Sequence, residues 1–202
     1  MRKLLCLGDS NTYGYDPRSY FGSRYPKEVR WTGLLEQQGY RVFNCGQNGL
    51  TIPSPGAFPT LRGVVESRLP LDAVTVMLGS NDLGQGLSAR EAAEKMAALL
   101  RFLRKTAPEA QLLLLAPPPV QLGEWVQTQR MIEESVRLGA QYRELAARLA
   151  LPFADAGDWG VALGHDGVHF LPEGHAAFAR GLGEALAALF AEKRCGETDS
   201  SF

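Results

Sequence analysis

Three side chains of the sequence could together perform acyl transfer: Ser10, Asp166 and His169. A serine hydroxyl becomes a nucleophile when an imidazole accepts its proton, and a carboxylate on the other ring nitrogen holds that imidazole in the required tautomer. Asp166 precedes His169 by three residues, so one turn, eased by Gly167, lets the carboxylate accept the Nδ1 proton. Nε2 then accepts the proton of Ser10. We therefore predict Ser10 as nucleophile, His169 as base and Asp166 as its partner.

The choice of base is narrow because all three histidines of the chain lie between residues 165 and 175. His165 is adjacent in sequence to its acidic neighbour, which is a poorer geometry for orienting a ring. His175 falls inside the predicted last helix, where a supporting role is expected. Two alternatives stay open: a surface turn with a helix-capping acid at residues 166–169, and Asp155 or Asp158 as the carboxylate.

The position of Ser10 also favours a reactive role. It follows the apolar run 4–7, which predicts a short buried strand that Gly8 and Asp9 interrupt. In α/β folds, sites lie beyond the carboxyl ends of strands. The alternative is an ordinary loop in which Asp9 or Ser10 caps a helix.

Acyl transfer further requires hydrogen-bond donors directed at the developing oxyanion. The sequence offers the backbone N–H groups of Ser10 and Gly49 and the side-chain amide of Asn81, each in a turn after a predicted strand. Glycine is expected at position 49 if a side chain there would block the substrate. Gly49 could equally be a left-handed loop residue, and Asn81 an ordinary turn residue.

The elements that position these residues alternate along the chain. The patterns predict strands at 4–7, 41–45, 73–78, 111–116 and 152–154, and helices at 28–38, 60–68, 88–105, 129–150 and 172–191. This alternation predicts an α/β fold, a flavodoxin-like three-layer sandwich with a five-stranded parallel sheet. Because parallel strands end at one edge of a sheet, Ser10, Gly49, Asn81 and the loop after strand five should converge.

Composition excludes several classes of function. The chain has 202 residues, predicted as a single domain at 1–192 with a disordered polar tail at 193–202. The net charge of -1 gives no electrostatic reason to bind nucleic acid or a membrane surface. No apolar run approaches the roughly 18 residues of a membrane span. The apolar segment behind the basic start is too short for a signal peptide, so a cytoplasmic location is expected.

The cysteine pattern predicts neither a metal nor a redox site. Cys6, Cys45 and Cys195 are odd in number and contain no C-x-x-C spacing. We therefore expect free structural thiols, with no metal and no cofactor. Signatures of other enzyme classes, such as G-x-S-x-G, the phosphate-binding loop and H-E-x-x-H, are absent from the sequence.

Four segments resemble the conserved blocks of the SGNH (GDSL) hydrolase superfamily, in the same order. They are Gly8-Asp9-Ser10, the Gly49 turn, Gly79-Ser80-Asn81-Asp82 and Asp166-Gly167-Val168-His169. The resemblance implies Ser10 as nucleophile, His169 as base, Asp166 as its partner, and Ser10, Gly49 and Asn81 as the oxyanion hole. It also implies the flavodoxin-like sandwich.

Further segments are similar to the arylesterase and acetyl-esterase branch of that superfamily. These segments are Arg30-Trp31-Thr32-Gly33, Leu69-Pro70-Leu71-Asp72, Met77-Leu78-Gly79, Ala116-Pro117-Pro118-Pro119 and Phe153-Ala154-Asp155-Ala156-Gly157. Members of the branch cleave small acyl esters, some transfer acyl groups and several form homo-oligomers, so the resemblance allows a homo-oligomer here. Asn11 stands where leucine is common, which we expect to be neutral, and Leu83-Gly84-Gln85-Gly86 is glycine-rich where relatives carry basic and aromatic residues.

The sequence therefore predicts a serine esterase that hydrolyses, or transfers, small acyl groups such as acetyl from aryl, alkyl or sugar esters. The alternatives are a long-chain thioesterase or lysophospholipase of the same fold, and a noncatalytic ligand-binding domain. The partner is a small-molecule ester. The substrate pocket is predicted to involve Asp9, Asn11, Tyr13, Trp31, Pro118 and Val168.

Overall fold

One parallel sheet of five strands forms the centre of the protein. The structure is a computed structural model that describes residues 1–19 and 21–198, with side chains described to residue 191. The strands are β1 (Lys3–Gly8), β2 (Arg41–Gly46), β3 (Ala73–Met77), β4 (Gln111–Ala116) and β5 (Phe153–Asp155). Their order is β2-β1-β3-β4-β5. This is the flavodoxin-like order, whose direction of winding reverses between β1 and β3, and it confirms the predicted fold.

Seven helices accompany the sheet within the part of the chain that the structure describes. They are α1 (Ser10–Tyr13), α2 (Trp31–Gln37), α3 (Phe58–Glu66), α4 (Ser80–Gly84), α5 (Ala89–Thr106), α6 (Gln129–Leu149) and α7 (Pro172–Thr198). Short 3-10 turns occupy Pro55–Ala57 and Ala156–Trp159. None of the helices described is both long and apolar enough to span a membrane.

The side chains of β1 alternate between two hydrophobic cores, as the two-residue period of a strand requires. Leu5 and Leu7 pack with residues of α5 and α6 on one face of the sheet. Leu4 and Cys6 pack with residues of α2 and α7 on the other face. Because both faces are covered, the apolar runs of the inner strands are buried on both sides. The sheet is thus a rigid layer, and the turns at its carboxyl edge start from fixed points.

The helix boundaries differ from the predicted ones in a few places. The short helices α1 and α4, which follow β1 and β3 directly, were predicted as turns. The helix predicted from residue 28 begins at Trp31, because residues 26–30 form turns with Pro26 as acceptor. The last helix was predicted to end at residue 191 but continues to Thr198, since the polar residues there include strong helix formers. Residues 199–202 of the predicted tail lie outside the described residues, and the single-domain prediction stays a prediction.

A capping box opens α5. The Oγ of Ser88 accepts from the backbone N–H of Glu91, and the Glu91 carboxylate accepts from the N–H of Ser88 at 2.8 Å. Cys6 and Cys45 are free thiols, as predicted, and burial raises the pKa of Cys6 to about 12. The side chain of Cys195 lies outside the described residues.

Candidate active site

Ser10, His169 and Asp166 form one chain of hydrogen bonds. The Nε2 of His169 lies 2.8 Å from the Oγ of Ser10, and its Nδ1 lies 2.6 Å from Oδ2 of Asp166. When Nδ1–H donates to the carboxylate, the lone pair of Nε2 faces the serine hydroxyl and can accept its proton. The three side chains are almost fully buried, with relative exposures of 5%, 1% and 3%. The structure therefore brings the predicted trio together in the predicted order.

A compact turn holds Asp166 and His169 in register. Oδ1 of Asp166 accepts the backbone N–H groups of Val168 and His169, each at 2.9 Å. Burial alone would raise the pKa of Asp166, but the hydrogen bonds from His169 and from the backbone outweigh it and hold that pKa below its usual value. Gly167 has φ +81°, and a Cβ there would lie 2.1 Å from the carbonyl oxygen of Gln121. Only glycine fits this turn.

Two aromatic rings cover the imidazole of His169. The ring of Tyr15 lies 4.4 Å from it between centroids, and the ring of Trp125 lies 4.8 Å away in an edge-on arrangement. The backbone N–H of Trp125 donates to the carbonyl of Asp166 at 3.1 Å. This bond holds the loop of Trp125 against the turn of residues 166–169, the histidine turn. Trp125 was not among the predicted site residues. Its place after β4 and the proline run, at the carboxyl edge of the sheet, was the available signal.

The turn that carries Ser10 is equally constrained. A Cβ at Gly8 would lie 2.0 Å from the Oγ1 of Thr12 and 2.9 Å from the carbonyl of Met77. Asp9 caps α1, because its carboxylate accepts the N–H of Asn11 at 3.0 Å. Asp9 is therefore a helix cap, as the alternative interpretation expected. Ser10 nevertheless lies beside His169.

The ends of β2 and β3 are joined by side-chain hydrogen bonds. Nδ2 of Asn81 donates to the carbonyl of Leu50 at 3.1 Å, and Oδ2 of Asp82 accepts the N–H of Ile52 at 2.9 Å. Asp82 is fully buried and pairs with Lys95. These contacts hold the segment after Gly49 against α4. The segment therefore joins the end of β2 to α4 at the carboxyl edge of the sheet.

The requirement for glycine at position 49 has a local explanation. Gly49 has φ +70°, and no heavy atom lies within 4 Å of a Cβ built there. Glycine is therefore favoured at position 49 by its left-handed backbone conformation, and not by contact with neighbouring atoms of the protein.

Most of the residues predicted for the substrate pocket are buried instead. The indole of Trp31 is 1% exposed, packs on Phe178 and donates to the carbonyl of Asn11 at 2.9 Å. Asp9 and Pro118 are buried as well. The burial of these three residues does not favour them as pocket walls, and their place in the substrate pocket stays a prediction.

The other three predicted pocket residues differ from one another. Tyr13 is half-buried under the guanidinium of Arg24, whose Cζ lies 4.3 Å from the ring centroid. Asn11 is 3% exposed, and its side chain is hydrogen-bonded to Val168 and Phe170. Val168 is half-buried next to His169. Val168 is the predicted wall residue that remains beside the reacting groups.

The two other histidines and Asp155, the alternatives to His169 and Asp166, lie in other surroundings. His165 is exposed and lies 3.4 Å from Glu124. His175 is fully buried, and burial, with Arg30 as the second cause, lowers its pKa to about 3. The carboxylate of Asp155 accepts the N–H of Gly157 at 3.0 Å and lies 3.4 Å from Arg143. Asp155 is therefore not the acid that orients His169.

A cavity of about 440 Å³ opens beside the two aromatic rings and is also lined by Asp166. Its walls combine the rings of Tyr15 and Trp125 with polar groups of Arg18, Ser19, Glu124 and His165. Among the side chains of residues 1–19 and 21–191, no group of three or more from histidine, cysteine and acidic residues is arranged to hold a metal ion.

Comparison with known proteins is consistent with this site. The model of the GDSL-like lipase/acylhydrolase family matches residues 6–177. Est24, a carbohydrate acetylesterase from Sinorhizobium meliloti, is 29% identical, with a TM-score of 0.81 over 94% of this chain and 100% of its own. The aryl esterase of M. smegmatis is 29% identical, with a TM-score of 0.80 over 95% and 99%. A structure from Agrobacterium tumefaciens strain C58 is 34% identical, with a TM-score of 0.82 over 93% and 99%. A search of curated proteins finds no match.

Proposed function

As a member of the GDSL-like lipase/acylhydrolase family, this chain is a carboxylic ester hydrolase, and we propose that it releases small acyl groups through an acyl-enzyme on Ser10. One observation carries the proposal: the unbroken hydrogen-bond chain from Asp166 through His169 to Ser10, at 2.6 and 2.8 Å. The same arrangement of acid, imidazole and serine drives acyl transfer on unrelated folds.

The first half of the reaction forms the acyl-enzyme. Oγ of Ser10 attacks the ester carbonyl carbon while Nε2 of His169 takes its proton. The ionised Asp166 stabilises the imidazolium that forms, which is consistent with its lowered pKa. When the tetrahedral intermediate collapses, His169 returns the proton to the leaving alcohol. Ser10 then carries the acyl group.

We assign the oxyanion hole to the backbone N–H groups of Ser10 and Gly49 and to the side-chain amide of Asn81. Neither N–H group has a hydrogen-bond acceptor within the residues that the structure describes. The three donors follow β1, β2 and β3, and β1 lies between the other two strands in the sheet. The amide nitrogen of Asn81 uses one hydrogen for Leu50, so its second hydrogen is available to the substrate.

The second half of the reaction removes the acyl group. His169, again neutral, takes a proton from a water molecule that attacks the acyl-enzyme, and Ser10 leaves with that proton. An alcohol in place of the water gives acyl transfer instead of hydrolysis. The kinetics are therefore ping-pong.

Small acyl groups are the substrates that the site favours. Ser10 and His169 are only 5% and 1% exposed, so the approach to the nucleophile is narrow. The structural relatives bear the names of carbohydrate acetylesterase and aryl esterase, and we propose acetyl and other short acyl esters of sugars, aryl or alkyl alcohols here. The intact trio disfavours a noncatalytic ligand-binding domain. A cytoplasmic location and a homo-oligomeric state stay predictions from the sequence.

Hydrolysis of p-nitrophenyl esters from acetate to laurate tests the proposal. We expect a maximum at acetate or butyrate and loss of activity in Ser10→Ala. Ser67→Ala, which removes an exposed hydroxyl on the far end of α3, is the matched control and should keep full activity. A maximum at long chains would instead indicate a thioesterase or lysophospholipase. Activity that survives Ser10→Ala would exclude Ser10 as the nucleophile.

A further inference from the structure

Asn11, the residue directly after the nucleophile, is hydrogen-bonded to both neighbours of His169. Its Nδ2 donates to the carbonyl of Val168 at 3.1 Å, and its Oδ1 accepts the N–H of Phe170 at 3.0 Å. The side chain thus spans the two peptide groups that flank the histidine. A leucine, which is common at this position in the arylesterase branch, could make neither bond. These two bonds speak against the neutral replacement expected from the sequence, which stays a prediction until the variant is measured.

The backbone of Asn11 is held just as firmly as its side chain. Its N–H donates to the carboxylate of Asp9 at 3.0 Å, and its carbonyl accepts the indole N–H of Trp31 at 2.9 Å. Every polar group of the residue therefore has a partner, and the residue is 3% exposed. A side chain fixed in this way can act as a rigid connection between α1 and the histidine turn.

The histidine turn has few other polar links to the segment that carries the nucleophile. Asp166 organises the turn from within, because it accepts the N–H groups of Val168 and His169 and the Nδ1–H of the ring. Between residues 8–16 and 164–170, the described hydrogen bonds are the two made by the Asn11 side chain and the one from Ser10 to His169. The hydrogen bond between Asp166 and His169 thus forms within one turn. The distance from Ser10 to His169, in contrast, depends on how the histidine turn packs against α1.

We propose that Asn11 is a positioning residue that holds Nε2 of His169 within hydrogen-bonding distance of Ser10 Oγ. The inference rests on the proposed function, in which that distance governs both proton transfers. Near-attack geometry is sensitive, and a misplacement of about 1 Å can cost about a hundredfold in rate. Loss of the two Asn11 bonds should therefore lower kcat while substrate binding stays intact.

Asn11→Leu tests the proposal with p-nitrophenyl acetate. We expect kcat to fall about tenfold to a hundredfold with KM little changed. Asn11→Asp has the same shape, and its protonated carboxyl group can both accept from the N–H of Phe170 and donate to the carbonyl of Val168, so its loss should be smaller. Thr106→Val, which removes a buried side-chain hydrogen bond in α5 away from the site, controls for loss of stability and should keep wild-type kcat.

A proton NMR measurement separates positioning from simple unfolding of the turn. The downfield signal of the Nδ1 proton between His169 and Asp166 should persist in Asn11→Leu, because that pair is set within the turn. Loss of this signal together with activity would overturn the proposal, since Asn11 would then merely fold the turn. Wild-type kcat in folded Asn11→Leu, or in Asn11→Asp if the leucine variant does not fold, would overturn it as well.

Ser10→Ala distinguishes failure of the positioning role from failure of the proposed function. If Ser10→Ala is inactive while Asn11→Leu matches the wild type, only the positioning role fails. If Ser10→Ala keeps its activity, the proposed function fails, and the distance held by Asn11 no longer governs the reaction.

Discussion

The carboxylate of Asp166 lies 2.6 Å from Nδ1 of His169, and both side chains are shielded from water. A charged acceptor in such a buried position fixes the tautomer of the ring and its orientation toward Ser10.

Asp166→Asn should lower kcat by about four orders of magnitude, because the amide would leave the imidazole in the wrong tautomer. Far-ultraviolet circular dichroism should show that the fold is kept. Asp155→Asn is the matched control: that carboxylate bonds to Gly157 and Arg143 and should be dispensable for turnover. Near-normal turnover of the Asp166 variant would contradict the proposed role.

Asn81→Ala should reduce kcat by about a hundredfold to a thousandfold, the effect of removing one oxyanion donor, and leave KM nearly unchanged. The variant also loses the bond to Leu50, so its thermal stability has to be measured alongside the kinetics. An effect on KM alone would mean that Asn81 binds the ground state and not the transition state.

Trp125→Ala should lower kcat/KM about twofold to fivefold. The rings of Trp125 and His169 are nearly perpendicular at 4.8 Å between centroids, and an aromatic pair of this kind is worth about 0.5–1 kcal/mol beyond its buried area. The indole is 58% exposed, so folding stability should change little. Leu122→Ala, which truncates a 70% exposed residue of the same loop, should behave like the wild type. Equal losses in both variants would instead indicate a general effect of the loop.

The pH dependence of stability should reveal two opposed groups. Burial raises the pKa of Asp9 from 3.8 to about 6, and burial with Arg30 lowers the pKa of His175 from 6.5 to about 3. As pH rises from 3.8 to about 6, folded Asp9 retains a proton that the unfolded chain loses, so its contribution to the free energy of unfolding falls. Folded His175 lacks a proton that the unfolded chain holds below 6.5, so its contribution rises with pH.

Single variants should separate these two slopes, each at most about 1.4 kcal/mol per pH unit. In Asp9→Asn, urea titrations between about pH 4 and 6 should give a free energy of unfolding that climbs with pH more steeply than in the wild type. In His175→Gln it should climb less steeply or fall. Slopes that change in the same direction in both variants would contradict the assignment.

Much of the site could be predicted from the sequence because its reactive residues lie at strand ends and in short turns, which leave recognisable patterns in the sequence. The apolar runs and their polar ends indicated parallel strands, and parallel strands bring their carboxyl ends to one edge. The three-residue spacing from Asp166 to His169 indicated their pairing, since one turn with Gly167 suffices. Ser10 followed from its place directly after β1. These inferences need only strand and turn geometry within a few residues.

Tertiary packing alone decided the rest. Trp31 looked like a pocket wall, but the sheet, Asn11 and α7 enclose it, and burial of that kind depends on which helices meet. Trp125 covers His169 only because the loop after β4 is fastened to the histidine turn through the carbonyl of Asp166. Asn11 bridges backbone groups 157 and 159 positions away in the chain. The sequence by itself determined which residues could react, whereas contacts between distant segments determined what holds and surrounds them.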